Sequence, residues 1–97
     1  MKKKLHDIIE RAVKHLGISI REIVIELPKE ESFGDLATPV AMSLSKILKK
    51  PPRKVAEDIV NAITEKEVFE KIEIAGPGFI NFTFSKQYIY SELKSLI

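Results

Sequence analysis

From Lys3 to Leu16 the apolar positions fall at Leu5, Ile8, Ile9, Ala12, Val13 and Leu16, with polar and charged residues between them. That spacing predicts one amphipathic helix, with Gly17 as the residue that ends it in a left-handed turn. Ile23, Ile25 and Leu27 then alternate with Glu22, Val24 and Glu26, which predicts a strand stopped by Pro28. Residues 28–33 read as a polar loop, and residues 34–38 as a short second strand. Thr38-Pro39 predicts an N-cap followed by proline at the first helical position. The helix it opens should bury Val40, Ala41, Leu44, Ile47 and Leu48 and end before Pro51-Pro52. A third helix starts near Pro52, with Val55, Ala56, Ile59, Val60 and Ile63 inward.

Further on, Ile72 and Ile74 alternate with Lys71 and Glu73 in a strand. Gly76-Pro77-Gly78 predicts a type II turn, with Pro77 at its second position and Gly78 at its third. A strand follows from Phe79 to Phe84, and Ser85 caps a last helix containing Ile89, Leu93 and Leu96. The expected fold is therefore α+β. We expect a two-layer sandwich with a small, mostly antiparallel sheet of three to four strands against about four helices.

Composition adds limits rather than detail. At 97 residues, 44% apolar and 31% charged, the chain is a globular mixture with one core, so residues 1–97 are expected to form a single domain. There is no cysteine, which excludes disulfides and thiolate metal sites and fits a reducing compartment. No apolar run approaches the ~20 residues that cross a bilayer, so no membrane partner is expected. Met1-Lys2-Lys3-Lys4 resembles the start of a signal peptide, but Asp7, Glu10, Arg11 and Lys14 occupy the stretch that would have to be uncharged. The expected location is the cytoplasm. Net charge is +2 but uneven: residues 1–54 hold 12 Lys and Arg against 7 Asp and Glu, and residues 55–97 hold 4 against 7. A basic first half suits a polyanionic partner.

Enzyme signatures are lacking. There is no phosphate-binding Gly-Lys-Ser/Thr loop and no GxGxxG fingerprint. His6 and His15 stand nine residues apart on one predicted helix, two and a half turns, so their rings point to different sides. No catalytic residue is assigned.

Two features carry candidate chemistry. Lys46, Lys49, Lys50, Arg53 and Lys54 put five cations within nine positions with no acid among them. A helix C-terminus attracts cations through its dipole, which accounts for Lys49 and Lys50. Arg53 and Lys54 open the next helix, where cations are mildly unfavourable, and that pattern suits a corner facing phosphate. The second feature is the last strand. Successive side chains point to opposite faces, so Ile80, Phe82 and Phe84 form a core row, and Phe79, Asn81 and Thr83 form the other. An aromatic ring two positions from an amide, beside a Gly-Pro-Gly turn, suits an unstacked base, with the ring stacking and the amide bonding its edge. The alternative is that Phe79 folds under the turn as core.

Taken together, several segments resemble the N-terminal additional domain of arginyl-tRNA synthetases, which are class I enzymes. They are Gly34-Asp35-Leu36-Ala37-Thr38 with the Val40-Ala41-Met42 helix, Pro52-Arg53-Lys54-Val55-Ala56, and Ile72 to Phe82 with its Ala75-Gly76-Pro77-Gly78-Phe79-Ile80-Asn81-Phe82 run. The resemblance implies a domain that leans on the tRNA elbow and meets the D-loop, with contacts at Phe79 and Asn81. Some relatives carry a polar residue and a glutamine where this chain has Gly76 and Asn81. It also implies a parent that joins arginine to its tRNA using ATP, in a catalytic domain held in cis and absent from this chain, so the chain itself takes no cofactor. His15-Leu16-Gly17-Ile18 differs from the class I His-x-Gly-His signature at its last position and ends a helix, so it is read as coincidence. A rival reading is a docking module that holds the synthetase's domains together and touches RNA little.

Overall fold

The computed structural model describes residues 1–20 and 22–94, apart from the side chain of residue 31. Helix α1 spans Lys2–His15 and buries Leu5, Ile8, Ile9, Ala12 and Val13. Gly17, at φ +83°, closes it, and the Ile18 N–H donates back to the Val13 carbonyl at 3.2 Å. Strand β1 covers Leu36–Thr38, helix α2 Val40–Leu48 and helix α3 Pro52–Ala62. A 3₁₀ turn at Lys66–Val68 leads into β2, Phe69–Ala75; β3 is Phe79–Phe84 and α4 is Lys86–Lys94. The sheet is antiparallel in the order β1-β3-β2, so β3 is central. Helix α3 is the hub of the helical layer and touches α1, α2, β2 and β3. The α+β sandwich expected from the pattern is the fold observed.

The core row of β3 is as predicted: Ile80 and Phe82 are fully buried and Phe84 nearly so. β2 begins two residues before the expected strand, at Phe69. Its ring lies 5.1 Å from Phe82 and 5.6 Å from Phe84, and Phe84 in turn meets Tyr88 of α4 at 5.3 Å. This aromatic file fastens the last helix, whose first turn Ser85 caps by accepting the Tyr88 N–H at 3.1 Å.

Four expectations need correction. Residues 23–27 do not form a strand; they make one isolated rung, Glu26 with Ala37, closed by two backbone hydrogen bonds of 2.8 and 2.9 Å. In that register Val24 faces Pro39 and Pro28 faces Asp35, and proline has no N–H to donate, so the ladder cannot extend either way. The Thr38 hydroxyl donates to the Val24 carbonyl instead, at 2.6 Å. The same hydroxyl accepts the Val40 N–H at 3.2 Å, so it caps α2 although the helix starts one residue later than expected.

Ile47 is 71% exposed rather than buried, because it lies at the edge of the apolar stripe in the last turn of α2. The Gly-Pro-Gly turn is shifted by one residue. The Gly78 N–H donates to the Ala75 carbonyl at 3.3 Å, which puts Gly76 second in the turn at φ +55° with Pro77 third. That is the primed hairpin type, not type II. The expected last helix is present as α4; it buries no residue fully and Leu93 is exposed, while Leu96 lies outside the described residues.

Two of the motif's glycines are set by close approach. A Cβ on Gly34 would sit 2.8 Å from the Phe82 carbonyl oxygen, and one on Gly78 would sit 2.8 Å from Cβ of Pro52. Asp35 then latches the strand, its carboxylate accepting the Phe84 N–H at 2.9 Å. No helix among the described residues is long and apolar enough to cross a membrane.

Candidate functional site

Directly paired residues of an antiparallel sheet share a face. The rungs Glu26 with Ala37, Ala37 with Asn81, and Asn81 with Glu73 therefore draw one row across the face opposite the core. Phe79, paired with Ala75, lies in the next row of the same face. The predicted division of β3 holds, but the expected open surface does not. Residues 27–33 stand over part of it, pinned at one end by the Glu26–Ala37 rung and at the other by the Asp35 N–H, which donates to the Phe82 carbonyl at 2.8 Å. Asn81 is only 6% exposed as a result.

Between this segment and the β2–β3 hairpin lies a cleft of about 280 Å³. Phe79 and Pro77 line it from the hairpin, Leu27 and Phe33 from the covering segment, and Ala37 and Asn81 from the sheet. Phe79 is half-buried, so its ring is a cleft wall and not part of the core cluster. The Asn81 amide has no hydrogen-bond partner among the described residues. No buried side-chain polar atom among the described residues lacks a partner, so the Asn81 amide keeps its water through the cleft, and a ligand offering a donor and an acceptor can take that water's place. Glu26 lines the same cleft, and Glu73, in ion-pair contact with Lys71 at 3.1 Å, flanks Asn81 on the sheet. Lys29 lines the cleft as well, so its walls carry one charge of each sign, and the apolar walls beside the Asn81 amide suit the edge of a base.

The basic residues gather at the α2–α3 junction. Lys46 is exposed in the last turn of α2. Lys49 holds a left-handed φ of 55° in the position that usually takes glycine, and the Lys50 N–H closes the turn onto the Ser45 carbonyl at 3.3 Å. Lys50 and Lys54 both reach Asp58, at 3.6 and 3.7 Å. Arg53 donates to the Gly76 carbonyl at 2.6 Å. Lys46 and Lys49 make no ion pair among the described residues. Arg53 thus joins two features that the sequence presents as separate, and the basic corner and the cleft share the exposed hairpin tip at Gly76.

Leu27 and Phe33 line the cleft but are not among the site residues expected from the sequence. Phe33 had one signal, a lone aromatic in an otherwise polar run between Pro28 and Gly34. Asp58 was also missed, although it stands four residues after Lys54 and partners two of the five cations.

The histidines lie apart from this region. His15 is exposed. His6, Asp7 and Glu10 bring ligand atoms within 4.8 Å of one another, but Lys3 reaches Asp7 at 3.8 Å and sets a cation beside the place a metal ion would take. On the same helix, Lys4 donates to Glu65 at 3.0 Å and Arg11 bonds the other carboxylate oxygen. The Lys4 hydrogen bond, with help from Arg11, holds the Glu65 carboxyl below its ordinary range.

The family model described as "Arginyl tRNA synthetase N terminal domain" matches residues 2–84. Over its whole length the chain is 41% identical to arginine–tRNA ligase 1 of Halalkalibacterium halodurans and 41% identical to the arginine–tRNA ligase of Thermotoga maritima. It spans 18% and 17% of those proteins. In a crystal structure of arginyl-tRNA synthetase from Plasmodium falciparum, 97% of the chain superposes on 18% of that protein, with a TM-score of 0.82 and 29% identity. The Thermus thermophilus arginyl-tRNA synthetase shares the fold over 95% of the chain and 15% of its own, with a TM-score of 0.79 at 24% identity.

Proposed function

Because this chain belongs to the family of arginyl tRNA synthetase N-terminal domains, we propose that it is the tRNA-binding appendage of an arginine–tRNA ligase acting in the cytoplasm. It leans on the D-loop and elbow of an arginine-accepting tRNA, and the ATP-dependent joining of arginine belongs to a catalytic domain in cis. One unstacked D-loop base enters the cleft, where Phe79 stacks on it and the Asn81 amide bonds its edge. The basic corner meets the phosphates on either side. The observation that carries this reading is Asn81, 6% exposed and without a partner among the described residues, beside an aromatic wall.

The shared tip at Gly76 supports simultaneous use of both regions, since a base and its neighbouring phosphates have to be met together. Lys49 adds support of another kind. A non-glycine residue in the left-handed region costs about 1 kcal/mol, and a long cation kept there suits a role in binding. Titrating the chain with an arginine-accepting tRNA transcript at two salt concentrations tests the proposal. Binding should weaken steeply with salt, each phosphate contact contributing roughly 0.7–0.9 to the log–log slope. Absence of binding even at low salt sinks it. Given ATP, arginine and tRNA, the chain alone should make no arginyl-tRNA.

The docking-module reading has one observation in its favour. Tyr90 and Leu93 of α4 are 62% and 56% exposed, an apolar pair fit for contact with another domain in cis. That face can serve alongside tRNA binding.

A further inference from the structure

The cleft has a second wall that neither the sequence pattern nor the family assignment attaches to a role. Residues 27–33 are polar for most of their length, yet they carry Leu27 at 75% and Phe33 at 43% exposure, and both line the cleft. The segment is held from several directions. The Glu26–Ala37 rung fixes one end; Gly34, pressed against the Phe82 carbonyl, and Asp35, bonded to the Phe82 and Phe84 backbone, fix the other. Between these anchors the Phe33 N–H closes a 3₁₀ turn on the Glu30 carbonyl at 3.0 Å. A fixed segment that places a large aromatic ring partly in water, at the mouth of a cleft, is offering it to a ligand.

We propose that Phe33 is the second contact surface for the base, which enters between the covering segment and the hairpin as into a slot, with Asn81 reading its edge from below. This rests on the tRNA-binding reading above and adds to it. A platform formed by Phe79 alone leaves the other face of a stacked base in water. A slot removes water from both faces and leaves only one edge to be satisfied, which is where the unpartnered amide stands. A cleft of about 280 Å³ lies at the small end of ligand sites and suits one ring system with its sugar and phosphates outside.

The test uses Phe33→Ala, Phe33→Leu, Phe79→Ala and the Phe33/Phe79 double alanine variant, each melted and each titrated at one low salt concentration with an arginine-accepting tRNA transcript. Phe33→Ala should melt close to the parent chain and bind roughly tenfold more weakly. Phe33→Leu, which keeps apolar bulk and loses the flat ring, should fall between them and guards against misfolding of the alanine variant. The double variant should lose less than the two single losses multiplied together, since a slot with one wall gone holds little for the other to lose. If Phe79→Ala weakens binding while both Phe33 variants bind like the parent, the one-sided platform stands and the slot is wrong. If no variant weakens binding, both fail.

Discussion

The Arg53 guanidinium donates to the carbonyl oxygen of Gly76 at 2.6 Å, bridging 23 positions of sequence. It ties the first turn of α3 to the tip of the β2–β3 hairpin, where Gly78 already packs against Pro52. Because the bond is exposed, losing it should cost only about 0.5–1 kcal/mol. Arg53→Gln should therefore lower the melting temperature by a few degrees while weakening tRNA binding through both charge and tip position. Arg53→Lys keeps the charge but not the planar fork, and should restore the salt dependence without restoring the full affinity. Equal binding by all three proteins would show that the tie serves the fold alone.

The two faces of β3 should respond oppositely to truncation. Phe82→Ala empties a fully buried site within the aromatic file and should cost roughly 3–5 kcal/mol. Phe79→Ala removes a cleft wall and should cost much less stability, while weakening tRNA binding by about 1–3 kcal/mol. Asn81→Ala should lose about 1 kcal/mol of binding and change which D-loop bases are accepted. Thermal melts beside tRNA titrations decide the matter. An early melt of Phe79→Ala with undiminished binding by the folded protein would make its ring a structural piece.

At the lysine corner, stability and binding should move apart. Lys49→Gly relieves a left-handed residue and should stabilise the chain by roughly 0.5–1 kcal/mol. The same change should weaken tRNA binding and take one contact from the salt slope. Asp58→Asn should do the reverse for binding, because it frees Lys50 and Lys54 from their shared carboxylate. Urea melts give the first quantity and salt titrations the second. A Lys49→Gly variant that binds like the parent would remove Lys49 from the interface.

Glu65 predicts an acid-sensitive link between α1 and the segment after α3. Its carboxyl is held below the ordinary value of 4.5, chiefly by Lys4. A depressed carboxylate contributes stability above its unfolded pKa and loses it as pH falls through the folded one. Glu65→Gln should thus melt lower than the parent near neutral pH, by the ~0.2–1 kcal/mol typical of exposed ion pairs. The gap should close once the pH is well below 4.5. A gap independent of pH would mean the carboxylate's charge is not what matters.

How far the sequence could be read depended on the range of the forces involved. The face assignment of β3 followed from parity alone, and it held because a central strand has neighbours on both sides to pin its register. The helix stripes were legible for the same local reason, except at Ile47, where burial depends on what lies opposite the last turn. The alternation from Ile23 to Leu27 misled, because the missing donor at Pro39 matters only once the register against β1 is known. The cover over Asn81 was not legible either. It depends on Gly34 and Asp35 meeting the Phe82 and Phe84 backbone, nearly half the chain away. Likewise the sequence showed five cations, but not that Asp58 occupies two of them and Gly76 a third.

The solitary Glu26–Ala37 rung has one more consequence. A three-stranded sheet has two edges, and an unprotected edge invites pairing with another chain. On the β1 side Pro28 and Pro39 flank the rung, and the Thr38 hydroxyl takes up the Val24 carbonyl. An incoming strand finds few free donors and acceptors in register there. The β2 edge relies on exposed Glu70, Lys71 and Glu73 instead. The same prolines that prevent a fourth strand from forming within the chain also discourage one chain from lending a strand to the next, and so guard a small domain against fibrous self-association.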